Sequence, residues 1–169
     1  MFFLHFFNKI SLPFSATATG SENFVGLVKI NWFSVNITEE DFFNGSLDHI
    51  SKIKEQVNLP VLCKDFFIDK FQVSLSKSYG ADAILIILAG ISKNLSHQLY
   101  EEALKQNMSV IIEVHTVSEA KMALNFKEAL IGINNRNLKT LETNISTTYE
   151  INNILVNHNG PIISESGIE

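Results

Sequence analysis

A chain of 169 residues, 46% hydrophobic and 18% charged, is long enough to bury one core and too apolar to stay disordered. Its net charge of −5 argues against nucleic acid as the main partner, but not against a small anion held by a local basic cluster. No run approaches bilayer length, the start lacks the basic leader of a secretion signal, and the histidines show no metal-ligand spacing, so a cytoplasmic protein without membrane, metal or cofactor is expected.

From the amino end, residues 2–9 read as a Phe-rich strand, 11–21 as a Ser/Thr/Ala/Gly loop and 22–30 as a short helix. Residues 32–37 form the next predicted strand, and 38–45 a loop in which Phe42 or Phe43 should face a ligand or the core. Ser46 is placed to cap a helix over 47–57, with Ile50, Ile53 and Val57 on one stripe. A strand over 60–64 precedes a helix over 70–79 that carries Phe71, Leu75 and Tyr79 at helical spacing, ended by Gly80. Residues 83–88 are a continuous apolar strand, and 95–106 a helix with Leu99, Ala103 and Leu104 inward. After a strand over 110–114, Thr116-Val-Ser-Glu119 is a capping box opening a helix to about residue 125. A strand over 130–134, a helix over 147–156 and a strand over 161–164 complete the series. Strands alternating with helices through short connections predict an α/β fold with a parallel sheet covered by helices. That makes seven strands, whereas a closed eightfold barrel usually needs about 200 residues or more. The expectation is therefore one partial TIM (β/α)8 barrel over 1–169, lacking strand eight and its helix.

Strand parity singles out a set of polar residues. Side chains alternate along a strand, so Leu62 shares a face with Lys64, Ile111 with Glu113, Gly132 with Asn134 and Ile163 with Glu165. Four apolar strands thus each deliver one polar group at the carboxyl end, the arrangement of a site at one rim of a parallel sheet or barrel. A lysine closing a buried strand is costly unless something anionic meets it. Taken alone, Lys64 with Asp65 is equally a structural ion pair at a strand end. Cys63, the only cysteine, has the opposite parity and is expected to pack. His115 is expected to be a structural cap or surface histidine.

The motifs closely resemble those of indole-3-glycerol phosphate synthase, a TIM-barrel enzyme of tryptophan biosynthesis. The matching stretches are Phe42-Phe-Asn-Gly-Ser46, Pro60-Val-Leu-Cys-Lys-Asp-Phe66, Gly80-Ala-Asp-Ala-Ile-Leu85, Ile112-Glu-Val-His115, Ile131-Gly-Ile-Asn-Asn-Arg-Asn-Leu138 and Ser164-Glu-Ser-Gly-Ile168, in family order. The resemblance implies closure of the indole ring of a carboxyphenylamino-deoxyribulose phosphate with release of carbon dioxide and water. It gives Lys64 the role of general acid on the substrate carbonyl and Glu113 a part in proton transfer during dehydration. Asn134 and Glu165 would line the ring and hydroxyl region, Phe43, Phe66, Leu85 and Leu141 the apolar walls, and Arg136 the rim near the anionic groups. Ser166 and Gly167 would belong to a phosphate-binding turn, and Lys9 would meet the substrate carboxylate. The match weakens before residue 38: Phe7 stands where the family has a glutamate and Leu12 where it has a phosphate-contacting serine. Residues 1–37 therefore read as a divergent first unit and 38–169 as a well-matched barrel core, with poor turnover or none expected from the chain alone. The composition leaves the oligomeric state open. Two other readings stand beside this one: a non-catalytic barrel remnant, and another phosphate-binding barrel enzyme such as phosphoribosylanthranilate isomerase.

Overall fold

The computed structural model describes residues 15–20, 24–29, 32–37 and 45–168. The first two segments are strands β1 (Ser15–Gly20) and β2 (Phe24–Lys29), paired antiparallel from Ser15 opposite Lys29 to Gly20 opposite Phe24. Then follow β3 (Phe33–Asn36), β4 (Val61–Lys64), β5 (Ala83–Ile87), β6 (Ser109–Val114), β7 (Leu130–Asn134) and β8 (Ile162–Glu165). These six form one sheet, every pair parallel, in strictly sequential order. The helices between them are α1 (Asp48–Lys54), α2 (Lys70–Ser78), α3 (Lys93–Lys105), α4 (Val117–Ala123) and α5 (Ser146–Leu155).

Sequential order decides the architecture. In a doubly wound sheet the order reverses at a switch point and helices cover both faces. With no reversal and right-handed crossovers, every helix falls on the same side and the sheet curls around the other. The packing follows suit. Val61, Cys63, Ile84, Ile86, Val110, Ile112, Ile131 and Ile133 bury against Ile50, Val73, Leu99, Ala103, Ala120, Ile151 and Leu155 of the helices. The opposite parity supplies a second, inner cluster of Leu62, Ala83, Leu85, Ile111 and Ile163. The fold is thus a curled wall of six strands from a TIM barrel, with helices outside and a concave inner face.

Local chemistry fixes the ends of these elements. Asp69 accepts from Phe71 N at 2.8 Å and Gln72 Oε1 accepts from Asp69 N at 3.0 Å, a reciprocal cap that starts α2. The cap position of α1 is Leu47, without a side-chain cap, so Ser46, predicted to cap this helix, stands one residue too early, its Oγ accepting from Asp48 N at 3.3 Å. Gly80 ends α2 with φ 98°, a conformation open to glycine at little cost. At the amino end of β4, Asp82 Oδ2 accepts from Val61 N and from Lys54 Nζ, both at 2.8 Å, pinning α1, β4 and β5 together on the side away from the rim. Cys63 packs in the helix layer with Sγ 3.3 Å from Ser76 Oγ, and burial pushes its thiol up to about 12. It is a packing residue, as its parity implies.

Three expectations are corrected. Residues 24–29, predicted as helix, are a strand, and 15–20, predicted as loop, are its partner. Phe24-Val-Gly-Leu-Val has a glycine mid-run and β-branched neighbours, which disfavour helix and suit a pleated surface. Phe71 is 67% exposed, and Val73 and Ser76 carry the buried stripe of α2 instead. The strand predicted over 2–9 lies outside the described residues, while the other six predicted strands are observed.

Candidate active site

The polar residues picked out by parity meet at the carboxyl end of the inner face. Register sets Ile87 opposite Glu113, Glu113 opposite Gly132, and Asn134 opposite Glu165. Lys64 ends β4 half-buried, and its charge is felt by Glu165 across the concavity. Glu113 and Glu165 are only 3% and 5% exposed, so two carboxylates are sunk into the top of an apolar wall. Gly132 makes their approach possible: a Cβ there would collide with Glu165 Oε1. The bare backbone of β7 is the notch through which Glu165 reaches toward Glu113.

Asn134 organises the space between them. Its Nδ2 donates to Glu113 Oε1 at 3.2 Å, and its Oδ1 accepts from Ser166 Oγ at 2.9 Å and from Arg136 N at 3.0 Å. Burial holds the Glu165 carboxyl up to about 7; the charge of Glu113 pushes the same way, and Lys64 and His115 oppose it. At neutral pH the rim therefore holds the Glu165 carboxyl near its midpoint of ionisation, beside the side chains of Glu113 and Lys64, a set able to deliver and remove protons.

His115 belongs to this cluster, contrary to its predicted role as a cap or surface residue. It lies two residues beyond Glu113, so the end of β6 carries both to the same side. Its Nε2 is 3.1 Å from Glu113 Oε1 and its Nδ1 3.6 Å from Glu119 Oε2, with the side chain 8% exposed. Neither ring nitrogen has the alignment of a directed hydrogen bond, so charge holds the ring. Burial opposes that charge, but Glu113 and Glu119 outweigh it and raise the imidazole to about 9. Glu119 is the residue predicted to close a capping box. Thr116 Oγ1 does accept from Glu119 N at 3.3 Å, but the Glu119 carboxylate reaches past Thr116 to accept from His115 N at 2.7 Å.

The remaining expected site residues divide into four groups. Leu85 is buried in the inner cluster, forming the floor beneath the carboxylates. Phe66 and Leu141 are 58% and 68% exposed beyond the strand ends, and Arg136 is exposed, its guanidinium free of hydrogen bonds and ion pairs among the described residues. Ser166 and Gly167 both have left-handed backbones, φ 66° and 69°, forming a tight turn directly after β8. Lys9 and Phe43 lie outside the described residues. Among the described residues no group of three or more His, Cys, Asp or Glu side chains is placed to hold a metal ion. No described helix is long and apolar enough to cross a membrane.

Sequence reasoning also missed Asn135, whose partners come from 13 to 31 residues away. Its Nδ2 donates to Ser164 Oγ and Glu165 O, both at 3.0 Å, and to Ser166 O at 3.1 Å. Its Oδ1 accepts from Thr148 N at 3.1 Å and Thr148 Oγ1 at 2.8 Å, capping α5, which has no side-chain cap of its own. Asn135→Ala would strand several of these groups in a site 3% exposed. Urea denaturation should show a loss of about 2–4 kcal/mol; a loss below about 1 kcal/mol would mean that water replaces the side chain freely.

Comparison with known proteins bears on this constellation directly. The family model described as indole-3-glycerol phosphate synthase matches residues 28–169. The indole-3-glycerol phosphate synthase of Oceanobacillus iheyensis is 45% identical over 132 residues, covering 78% of this chain and 51% of that protein. The tryptophan biosynthesis protein TrpCF of Buchnera aphidicola subsp. Diuraphis noxia is 44% identical over 132 residues, covering 78% and 29% respectively. The chain thus spans about half the length of the curated synthases it matches. Among solved structures, 3-keto-L-gulonate-6-phosphate decarboxylase from Vibrio cholerae aligns with a TM-score of 0.64 at 14% identity, over 81% of this chain and 66% of that one. The 3-hexulose-6-phosphate synthase of Salmonella typhimurium aligns at 0.59 and 13% identity, over 80% and 67%. The distant structures carry the barrel fold alone, whereas the sequence match runs through every strand that brings a polar group to the rim: by that match the chain belongs to the indole-3-glycerol phosphate synthase family.

Proposed function

We propose that this rim is the site at which a carboxyphenylamino-deoxyribulose phosphate closes to indole-3-glycerol phosphate, the step of tryptophan biosynthesis for which the relatives are named. One observation carries the reading: Lys64, Glu113, Asn134 and Glu165, drawn from four strands, share the inner face at one end of the sheet. In the first step the ring carbon bearing the carboxylate bonds to the substrate carbonyl carbon. Lys64 donates a proton to the carbonyl oxygen, which becomes a hydroxyl. Carbon dioxide leaves from the ring carbon and restores aromaticity. The hydroxyl then departs as water, for which Glu165 supplies the proton while Glu113 accepts one from the adjacent carbon or nitrogen. Asn134 holds Glu113 and links it to the Ser166–Gly167 turn, proposed to seat the phosphate. Leu85 floors the site, Phe66 and Leu141 close on the aromatic ring, and Arg136 lies within the anionic end. Lys9 and Phe43 join them on sequence grounds. The partner is thus a small molecule carrying a phosphate and a carboxylate, in a cytoplasmic setting.

The match over residues 28–169 favours the synthase reading over the isomerase alternative. Against a non-catalytic remnant stands the burial of two carboxylates around a glycine notch, an arrangement that costs stability and that an idle barrel has no reason to keep. Indole fluorescence provides the test, with substrate given to residues 1–169 and to the same residues joined to the carboxyl-terminal part of the Oceanobacillus iheyensis relative. Product is expected at least in the joined form, with slower turnover by 1–169 alone. Absence of product in both, with each shown to be folded, overturns the proposal.

A further inference from the structure

We propose that His115 is a positioning residue: clamped between Glu119 in the first turn of α4 and Glu113 on β6, its imidazolium aims the Glu113 carboxylate at a ligand on the rim. The proposal deepens the synthase reading and rests on it. Its geometry is independent of any comparison. The chain runs from Glu119 Oε2, 3.6 Å from Nδ1, through the ring to Nε2, 3.1 Å from Glu113 Oε1, and from the same Oε1 to Asn134 Nδ2 at 3.2 Å. Glu113 Oε1 is therefore approached from two sides by positive or donor groups, which fixes its direction and leaves its other oxygen without a hydrogen bond among the described residues.

Glu119 is what distinguishes a clamp from a chance contact. It grips His115 twice, by accepting from its backbone N at 2.7 Å and by facing its ring. A helix-capping glutamate ordinarily spends its carboxylate on the cap residue; here it is diverted one residue back to the histidine. Among the described residues the charged groups around the ring are Glu113 from its own strand and Glu119 from α4, with Glu165 of β8 near enough to feel it. The neighbouring strand β5 presents only Ile87 opposite Glu113, and β7 only Gly132 and the amide of Asn134. Removing the imidazolium leaves Glu113 and Glu165 facing each other with Lys64 as the one remaining described counter-charge. That raises the proton affinity of Glu165, which His115 otherwise lowers, and frees Glu113 to turn away.

The test uses residues 1–169, with His115 followed by histidine-selective NMR and the carboxyls by carbon-detected titration. The imidazole should titrate near 9 and fall by about one pH unit or more in Glu119→Gln. In His115→Asn the Glu165 carboxyl should titrate higher than its starting value of about 7, and the thermal midpoint at neutral pH should fall as the charge that Glu113 and Glu119 hold is lost. In whichever form turns over substrate, His115→Asn should lower kcat by about tenfold or more and leave KM within about threefold, with the acid limb of the rate–pH profile moved upward. An imidazole titrating near 6.5, or one indifferent to Glu119→Gln, overturns the clamp. So does an unchanged kcat and pH profile. If neither the wild-type chain nor its extended form makes product, the synthase reading fails, while the two NMR titrations still decide whether the clamp exists.

Discussion

Lys64→Ala is expected to lower turnover by about a hundred- to ten-thousandfold, the usual contribution of a positioned general acid. The fold should hardly notice. Lys64 is the last residue of β4, half-buried, and among the described residues its side chain makes no hydrogen bond or close ion pair whose loss would unfold the sheet. Leu62 below it keeps the inner cluster closed. The expected signature is thus a loss of kcat with a denaturation midpoint unchanged to within about 0.5 kcal/mol. Pre-steady-state indole fluorescence at saturating substrate reads the chemical step directly. A variant retaining more than a tenth of the rate would show that ring closure draws its proton elsewhere.

The second large effect has the opposite character, a gain in stability bought by a loss of activity. Glu165 is 5% exposed and its carboxyl is raised from 4.5 to about 7, first by burial and then by Glu113. A carboxyl whose folded value lies above its unfolded value binds its proton more tightly when folded. Folding is therefore unpenalised below about pH 4.5, and the cost grows as pH rises through 7, where a charge must be buried. The shift corresponds to about 3 kcal/mol on the alkaline side. Glu165→Gln keeps the shape and removes the charge. Relative to wild type it should be no more stable at pH 4 and roughly 2–3 kcal/mol more stable at pH 8, with most of the change between pH 4.5 and 7. Its turnover should fall with the loss of the proton donor. Paired urea titrations across that range provide the check; a stability difference independent of pH would show that Glu165 does not titrate in this window.

These expectations draw on a site that was mostly readable before any fold was known. Continuous apolar runs such as Ala83–Ile87 leave little choice but a buried strand, and period-two alternation then dictates which polar residue at each strand end faces inward. Lys64, Glu113, Asn134 and Glu165 follow from that rule alone. The hairpin of β1 and β2 was misread because Ser15–Gly20 is built of small residues: its Ala/Thr alternation has the period of a strand, but Ser, Thr, Ala and Gly together were taken for a loop. Its pairing is decided across the turn, not within either segment. His115 was misread because it stands just past the end of the strand, where alternation was no longer applied, although its two-residue offset from Glu113 keeps it on the same side. Asn135 was invisible for a different reason. A buried amide is tolerable only through partners such as Thr148 and Ser166, and no local pattern reveals which distant residues will satisfy it.

Asn134 and Asn135 have a mechanical consequence. Asn134 ends β7 and Asn135 follows it directly; they project to opposite sides of the sheet, and each fastens to the segment that ends β8: Asn134 to Ser166 on the concave side, Asn135 to Ser164, Glu165 and Ser166 on the convex side. A seam sewn on both sides cannot hinge toward either, so the corner of the rim under the proposed phosphate seat behaves as an anvil. Yielding must occur at the opposite jaw, beyond β4, where Phe66, Ile68 and Phe71 stand exposed. Hydrogen exchange should then show the amides of Asn135 and Glu165 among the slowest of the rim with or without ligand, and ligand-dependent slowing concentrated over residues 65–72. Protection appearing instead at β7 and β8 would place the moving jaw on the sewn side.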